Sequence, residues 1–142
     1  MENLAAIGRL KPHKPAPEEI RRLLGSAATS LADATRKANS PNSRLDLAYK
    51  AIMQSALAAL MANGYRPSTS EPGHQQTTIQ TLPKTIGLAP EKVRLFDSFR
   101  RARNVADYEG DPVAESVVNE CIEAARALLD DVNGWVRDNR IG

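Results

Sequence analysis

Side chains suited to binding an anion are concentrated between Arg100 and Asp111. This stretch holds three arginines, an asparagine and an acid–tyrosine pair, namely Arg100, Arg101, Arg103, Asn104, Asp107 and Tyr108. A guanidinium group can donate two parallel hydrogen bonds to phosphate oxygens, and an Asn amide adds a donor and an acceptor. Residues three and four apart share a helix face, so Arg100, Arg103 and Asn104 can converge on one anion. For Arg100 and Arg101 the competing interpretation is a solvated helix end, where cations are favourable.

The overall charge limits the kind of partner that these arginines can serve. The chain has 142 residues, 42% of them hydrophobic, which is enough for one domain with a buried core. Its 19 Lys and Arg residues exceed its 17 Asp and Glu residues by only two. The chain is therefore not a strongly polycationic nucleic-acid binder, and any basic site must be local.

Motifs for metals, cofactors and familiar enzymes are missing from the sequence. The single cysteine, Cys121, excludes an internal disulfide and a multi-cysteine metal site, and its apolar surroundings are typical of a buried thiol. Zinc-ligand spacing and a glycine-rich phosphate loop do not occur, so we expect no metal and no cofactor. The sequence contains no signal-peptide-like segment and no run of about 18 apolar residues. We therefore expect a cytoplasmic protein that does not associate with membranes.

The spacing of apolar residues predicts an all-α fold without strands. Pro12 and Pro15 favour an extended chain, so residues 1–16 are predicted to be a flexible N-terminal tail and residues 17–139 a single helical domain. Long helices with one apolar face, joined by short turns, are typical of an antiparallel up-and-down bundle. We expect four main helices plus a short one that Pro83 interrupts.

Proline, serine and glycine mark the expected ends of the first two helices. The first helix is predicted to run from Pro17 to about Asn39, because proline is favoured in a first helical turn. The second is predicted to begin at Ser40-Pro41 and to stop at Asn63-Gly64. Residues 65–73 are predicted to form a loop, because they contain two prolines and a glycine.

The remaining helices position the arginine-rich stretch. A short helix is predicted from His74, and the next long helix from Pro90 to a turn that ends at Asp111. Asp111 is then predicted to cap the last helix, with Pro112 in its first turn. The last helix carries an apolar stripe of Val118, Cys121, Ala125, Leu128, Val132 and Trp135.

Several segments, taken in order, resemble a known family. They are Gly64-Tyr65-Arg66-Pro67, Gly73-His74, the run from Phe99 to Asn104, and Asp107-Tyr108. Together they resemble the HEPN domains, the helical nucleotide-binding domains of higher eukaryotes and prokaryotes. The resemblance extends from about Ile20 to Trp135, and Arg103-Asn104 is its most specific part.

The resemblance implies a site in which a tyrosine stands where the family has a histidine. Ribonucleases of the HEPN family use an Arg followed after four to six residues by a His, often with a polar residue directly after the Arg. Arg103 and Asn104 match the beginning of this motif, but the position five residues after Arg103 holds Tyr108. No histidine follows His74, so the family's proton-transfer group is missing. The resemblance therefore favours binding over cleavage.

Candidate roles follow for each residue of this motif. The catalytic candidates are Arg103, Asn104 and Tyr108, and the binding candidates are Arg100, Arg103, Asn104, Asp107, Tyr108 and His74. Asp107 could act as a base, or form a structural ion pair with an arginine. Tyr108 could donate a proton or stack on a base, or pack between helices. His74 could reach the site, or bond to nearby backbone at its helix start.

The resemblance also implies which partners and which function to expect. HEPN domains commonly form homodimers in which the two motifs face one cleft, and many are encoded with a nucleotidyltransferase or antitoxin partner. We expect a HEPN-like module, non-catalytic or weakly catalytic, that binds RNA, a nucleotide or a protein partner in a toxin–antitoxin or defence type system. The alternatives are an active metal-independent endoribonuclease toxin that uses Arg103, and a domain that serves protein assembly alone.

Overall fold

Helices dominate the part of the chain that the computed structural model describes, residues 8–69 and 73–139. The elements, in order, are β1 Leu10–Pro12, α1 Pro17–Ala34, α2 Pro41–Ala62, β2 Tyr65–Pro67, α3 His74–Gln80, α4 Leu82–Thr85, α5 Pro90–Glu109 and α6 Glu115–Asp138. The predicted all-α fold class and the four long helices are confirmed. Across these residues, none of the helices combines the length and hydropathy that a membrane span requires.

The first two long helices run antiparallel, and polar side chains tie them together. The Gln54 amide of α2 donates to the Ser26 hydroxyl of α1 at 2.8 Å, and Arg44 Nε donates to the Ala34 carbonyl at 2.8 Å. Later residues of α2 therefore contact earlier residues of α1. Ser40 caps α2 as predicted, because its side chain accepts a hydrogen bond from the Ser43 amide.

Helix α2 lies at the centre of the fold and contacts every other helix. Alanines make up much of its buried surface and allow neighbouring helices to approach closely. Its fully or almost fully buried apolar residues are Leu45, Ala48, Tyr49, Ala51, Ile52, Ala56, Ala58, Ala59 and Leu60. Because α2 is buried on several sides, it is the helix whose core substitutions should affect stability most.

The direction of α5 follows from two contacts with α2. Arg103 lies against Tyr49, and the carboxylate of Asp107 acts electrostatically on that of Asp46. Later residues of α5 thus meet earlier residues of α2, so the two helices are antiparallel. This antiparallel arrangement brings the arginine-rich part of α5 to the first half of α2.

The last helix packs beside α2 in the same direction. Arg44 Nη1 lies 3.6 Å from Glu115 Oε1 at the start of α6, and the Cys121 thiol lies near enough to Tyr49 to affect its pKa. The predicted apolar stripe of α6 is buried as far as Val132, and Trp135 is partly buried against the core. The four long helices therefore alternate in direction along the chain, as the predicted bundle requires.

The short helical segment between β2 and α5 is divided, as its proline predicted. Pro83 cannot donate a backbone hydrogen bond, and the helix that begins at His74 ends at Gln80 before α4 begins at Leu82. Gly87 then has a φ of 73°, a left-handed conformation that glycine adopts without strain. Of the two short helices, α3 contacts both α2 and α5, and α4 contacts α2.

Part of the predicted N-terminal tail, residues 10–12, forms a strand instead. Leu10 to Pro12 pair antiparallel with Tyr65 to Pro67, and Leu10 is 2% exposed. The His13 amide also donates to the Gly64 carbonyl at 2.8 Å. The predicted loop over 65–73 therefore begins with a strand, while residues 1–7 and 70–72 of the two predicted segments lie outside the described residues.

Two helix ends differ from the prediction. Helix α1 ends at Ala34 rather than Asn39, and Ala38 is exposed in the turn that follows. Helix α6 begins at Glu115, so Asp111 does not cap it. The Asn42 side chain explains the second difference, because it accepts a hydrogen bond from the Val113 amide at 2.8 Å and donates to the Asp111 carbonyl at 3.3 Å. These bonds hold the segment before α6 against the start of α2.

Candidate functional site

Two of the arginines in α5 are paired with an acid of the same helix. Arg100 Nε donates to Asp97 Oδ1 at 2.9 Å, and Arg101 Nε lies 3.4 Å from Asp97 Oδ2. The hydrogen bond from Arg100 is the main reason why the pKa of Asp97 lies below its usual value. Asp97 therefore stays ionised at neutral pH and offsets part of the positive charge that the sequence predicted for this face.

Arg103 is stacked on a core tyrosine. Its guanidinium carbon lies 4.7 Å from the centre of the Tyr49 ring, which is a cation–π contact. Tyr49 is fully buried, and burial is the main reason why its pKa is raised. Within the described residues, neither Arg103 Nε nor the Tyr49 hydroxyl has a hydrogen-bond partner. Arg103 thus packs on the bundle core and is only half-exposed, which limits its reach toward a phosphate.

Two carboxylates, those of Asp46 and Asp107, interact electrostatically with each other, and Arg103 acts on the first of them. Burial raises the pKa of Asp46, the nearby Asp107 raises it further, and Arg103 lowers it. The Asp107 ion pair with an arginine, expected from the sequence, is not formed, because no arginine among the described side chains lies within salt-bridge distance of Asp107. The carboxylates offset part of the positive charge of Arg103 and of Arg100, which both act on Tyr49.

Tyr108 points into solvent, and the prediction that it packs between helices is wrong. Tyr108 is 90% exposed and Val105 is 50% exposed, which makes them the large hydrophobic residues most open to water in the described part of the chain. At 3.6 residues per turn, Tyr108 lies about 140° around α5 from Arg103. Tyr108 is therefore on a different side of α5 from Arg103.

The face of α5 that carries Arg101, Val105 and Tyr108, called here the exposed face of α5, borders an apolar groove. This α5–α6 groove, a cavity of about 320 Å³, is lined by Arg101, Ala102, Val105, Ala106, Asp111, Pro112, Val113, Ala114 and Val117. Arg101 precedes Val105 by one helical turn, and Asp111 follows the end of the helix. The groove thus has an apolar centre with one cation on one side and one carboxylate on the other.

The structure distributes the predicted residues of α5 over three sides of that helix. Arg103 and Asp107 lie toward α2, with the half-buried Asn104 next to Arg103. Tyr108 lies on the face that Arg101 and Val105 share. Arg100 pairs with Asp97 on the side of α3.

His74 is a separate case among the predicted site residues. It is the first residue of α3, and its carbonyl accepts a hydrogen bond from the Thr78 hydroxyl at 2.8 Å. It does not line the α5–α6 groove. Its predicted role in the site stays a prediction.

Cys121 and the acidic side chains provide no further chemistry. Burial raises the pKa of the Cys121 thiol to about 12, so the thiol remains protonated and unreactive at neutral pH. Over residues 8–69 and 73–139, no group of three or more His, Cys, Asp or Glu side chains is placed to hold a metal ion.

Three residues of the site were not predicted from the sequence. Asp97 could have been found, because it lies three and four residues before Arg100 and Arg101, the spacing of helical ion pairs. Tyr49 and Asp46 are contributed by α2, and their contacts with α5 have no local sequence signal.

No protein-family model matches the chain, and no curated protein matches it either.

Proposed function

We propose that this protein is a non-catalytic, HEPN-like helical module that pairs with a second copy of itself through the exposed face of α5 and the α5–α6 groove. The observation that carries this proposal is the 90% exposure of Tyr108, one turn from the half-exposed Val105 and beside an apolar groove. Tyrosine is among the residues most enriched at the centres of protein interfaces. Its exposure in the monomer is best accounted for by a partner that covers it.

Charge on either side of the groove favours a second copy as that partner. In a two-fold symmetric pair, a residue on one copy meets a different residue on the other, and the same contact is repeated. Arg101 and Asp111 flank the apolar centre, so a two-fold axis near Val105 would place each Arg101 beside the partner copy's carboxylate at position 111. The resemblance to HEPN domains implies dimers as well.

Reversing these two charges tests the arrangement. We expect Arg101→Glu alone to weaken pairing about tenfold at low salt, because each pair would then contain two carboxylate–carboxylate contacts. Asp111→Lys should weaken it similarly through two cation–cation contacts. An equimolar mixture of the two variants should form a mixed pair, since both of its contacts join opposite charges. Sedimentation velocity at low and high salt measures all three samples.

Two results would contradict this arrangement. One is that each variant alone pairs as tightly as the unmodified chain. The other is that the mixture pairs no better than its components. Lys50→Glu provides the control, because it reverses an exposed charge of α2 that does not line the groove.

RNA binding is the second candidate, and one observation favours it. Arg94 and Arg101 keep 71% and 66% of their side chains exposed despite their acidic neighbours on α5. In a pair whose Arg101 side chains contact the partner copy's carboxylates, the two copies of Arg94 would still present exposed guanidinium groups, from a chain whose net charge is only +2. Binding of this type would be electrostatic and would weaken steeply with salt.

Cleavage of RNA by the unmodified protein is not expected. The residue five positions after Arg103 is turned away from it, and two carboxylates accompany Arg103. We expect structured and single-stranded RNA to remain intact after incubation without metal, as it does with Arg103→Ala. Gel analysis of the products measures this. Cleavage that Arg103→Ala abolishes would establish the endoribonuclease alternative instead.

A further inference from the structure

A second concave site lies between α3 and α5, and its lining has only Arg101 in common with that of the α5–α6 groove. This α3–α5 pocket is a cavity of about 240 Å³, and its lining includes Gln76, Ile79, Val93, Arg94, Asp97 and Arg101. Ligand pockets for drug-sized molecules are about 300–1,000 Å³. The α3–α5 pocket is therefore suited to a ligand with one ring or a short alkyl chain.

The inner part of the pocket is apolar. Ile79 of α3 is 3% exposed, and Val93 of α5 is partly buried against the core. Both residues line the cavity, so a ligand that enters it removes its own apolar surface and part of theirs from water. Affinity for an apolar group is therefore expected at this end.

The mouth of the pocket carries excess positive charge. Arg94, Arg100 and Arg101 line it together with a single carboxylate, that of Asp97, which leaves a net charge of +2 among these four residues. Asp97 already accepts hydrogen bonds from Arg100 and from the Gln76 side chain. The Asp97 carboxylate thus already has hydrogen-bond partners within the protein.

Of the two exposed arginines, Arg94 remains available to a ligand in the paired chain, because it does not line the α5–α6 groove. Arg94 lies 3.6 Å from Glu91, but both side chains are more than 70% exposed, and such surface pairs contribute little. Arg101 is 66% exposed. Guanidinium groups bind phosphate and carboxylate oxygens through charge-assisted hydrogen bonds.

We propose that the α3–α5 pocket binds a small organic anion, with an apolar ring or chain against Ile79 and Val93 and a phosphate or carboxylate group at Arg94. This site goes beyond self-association: Arg101 lines both the pocket and the α5–α6 groove, whereas Arg94 does not line the groove. It assigns a ligand to a region in which the resemblance placed no site residue other than Arg100.

Phenyl phosphate is a suitable probe, because it joins one aromatic ring to one phosphate group. We expect it to shift the amide NMR signals of α3 and of residues 93–101 in the full chain, with a dissociation constant on the order of 1 mM. Inorganic phosphate and phenol, which each carry one half of the probe, should bind more weakly. Benzoate carries a carboxylate in place of the phosphate. Whichever of the two aromatic anions binds more tightly identifies the anionic group that the pocket prefers.

Two arginines of similar surroundings provide a matched comparison. Arg94 and Arg126 each lie within 4 Å of a glutamate three residues earlier, but Arg126 does not line the pocket. We expect Arg94→Gln to weaken phenyl phosphate binding about fivefold, since one exposed charge-assisted contact is lost. Arg126→Gln should leave binding unchanged.

Several results would overturn the pocket proposal. They are no binding of either aromatic anion, equal binding of inorganic phosphate, or equal loss of binding in the Arg94 and Arg126 variants. Repeating the titration with Tyr108→Ala separates this proposal from self-association, because that residue does not line the pocket. Phenyl phosphate should bind that variant as tightly as the unmodified chain.

Discussion

Ile52→Ala should lower the free energy of unfolding by about 3 kcal/mol and the melting midpoint by about 10 °C. Ile52 is fully buried in α2, the helix that contacts all the others, and it belongs to the continuous core cluster. Removing three carbon atoms there loses the favourable free energy of burying them away from water and leaves a cavity. The alanines of α2 are already small, so their side chains have no spare volume with which to fill it. Urea denaturation followed by circular dichroism measures the change.

Val105→Ala is the matched control for this core substitution. It also shortens a β-branched aliphatic side chain, but at a position that is 50% exposed. We expect a loss of less than about 0.5 kcal/mol when stability is measured at low micromolar concentration, where self-association contributes little. Equal losses for the two variants would contradict the central position of α2.

Tyr108→Ala should weaken self-association about 30-fold, because truncation of an aromatic residue at the centre of an interface typically costs about 2 kcal/mol. The same substitution should leave the stability of the monomer unchanged within about 0.5 kcal/mol, because the side chain is 90% exposed and packs against little. This combination, a loss of pairing without a loss of folding, distinguishes a partner surface from a structural residue. Isothermal dilution calorimetry and thermal unfolding provide the two measurements.

A second tyrosine supplies the comparison for this prediction. Tyr65 lies in β2, partly buried, and does not line the groove. Its replacement by alanine should affect folding more than pairing. If Tyr108→Ala lowered the stability of the monomer and left its association unchanged, the exposed face of α5 would not be the partner surface.

The helix starts were predictable because the signals for them are local. Pro17, Pro41 and Pro90 each occupy the first turn of a long helix, where the missing amide hydrogen costs nothing. Gly64 and Gly110 adopt positive φ values just after α2 and α5. In each case the residue and its effect lie within one helical turn, so the sequence alone carries the information.

The start of α6 and the β1–β2 pair were not predictable, because their causes are distant in sequence. Asn42 holds the Val113 amide from the beginning of α2, which delays the last helix beyond Asp111. Leu10 becomes part of a strand only because β2 offers a partner edge. Short strands of three residues have too few positions to show an alternating pattern.

The candidate site shows the same division between local and distant causes. The sequence identified the arginine-rich part of α5 and the position of Tyr108. The pairs of Asp97 with Arg100 and Arg101 were not predicted, although their helical spacing is a local signal. It did not reveal that Arg103 stacks on Tyr49, since that contact joins two helices. The exposure of a tyrosine depends on which side of α5 faces the bundle, which only the packed structure decides.

The most direct test of self-association is the molecular mass of the unmodified chain at sedimentation equilibrium, over a range from low micromolar to several hundred micromolar. We predict that the mass rises with concentration from 15.5 kDa toward twice that value. A mass that stays at 15.5 kDa across the range would contradict pairing through the exposed face of α5.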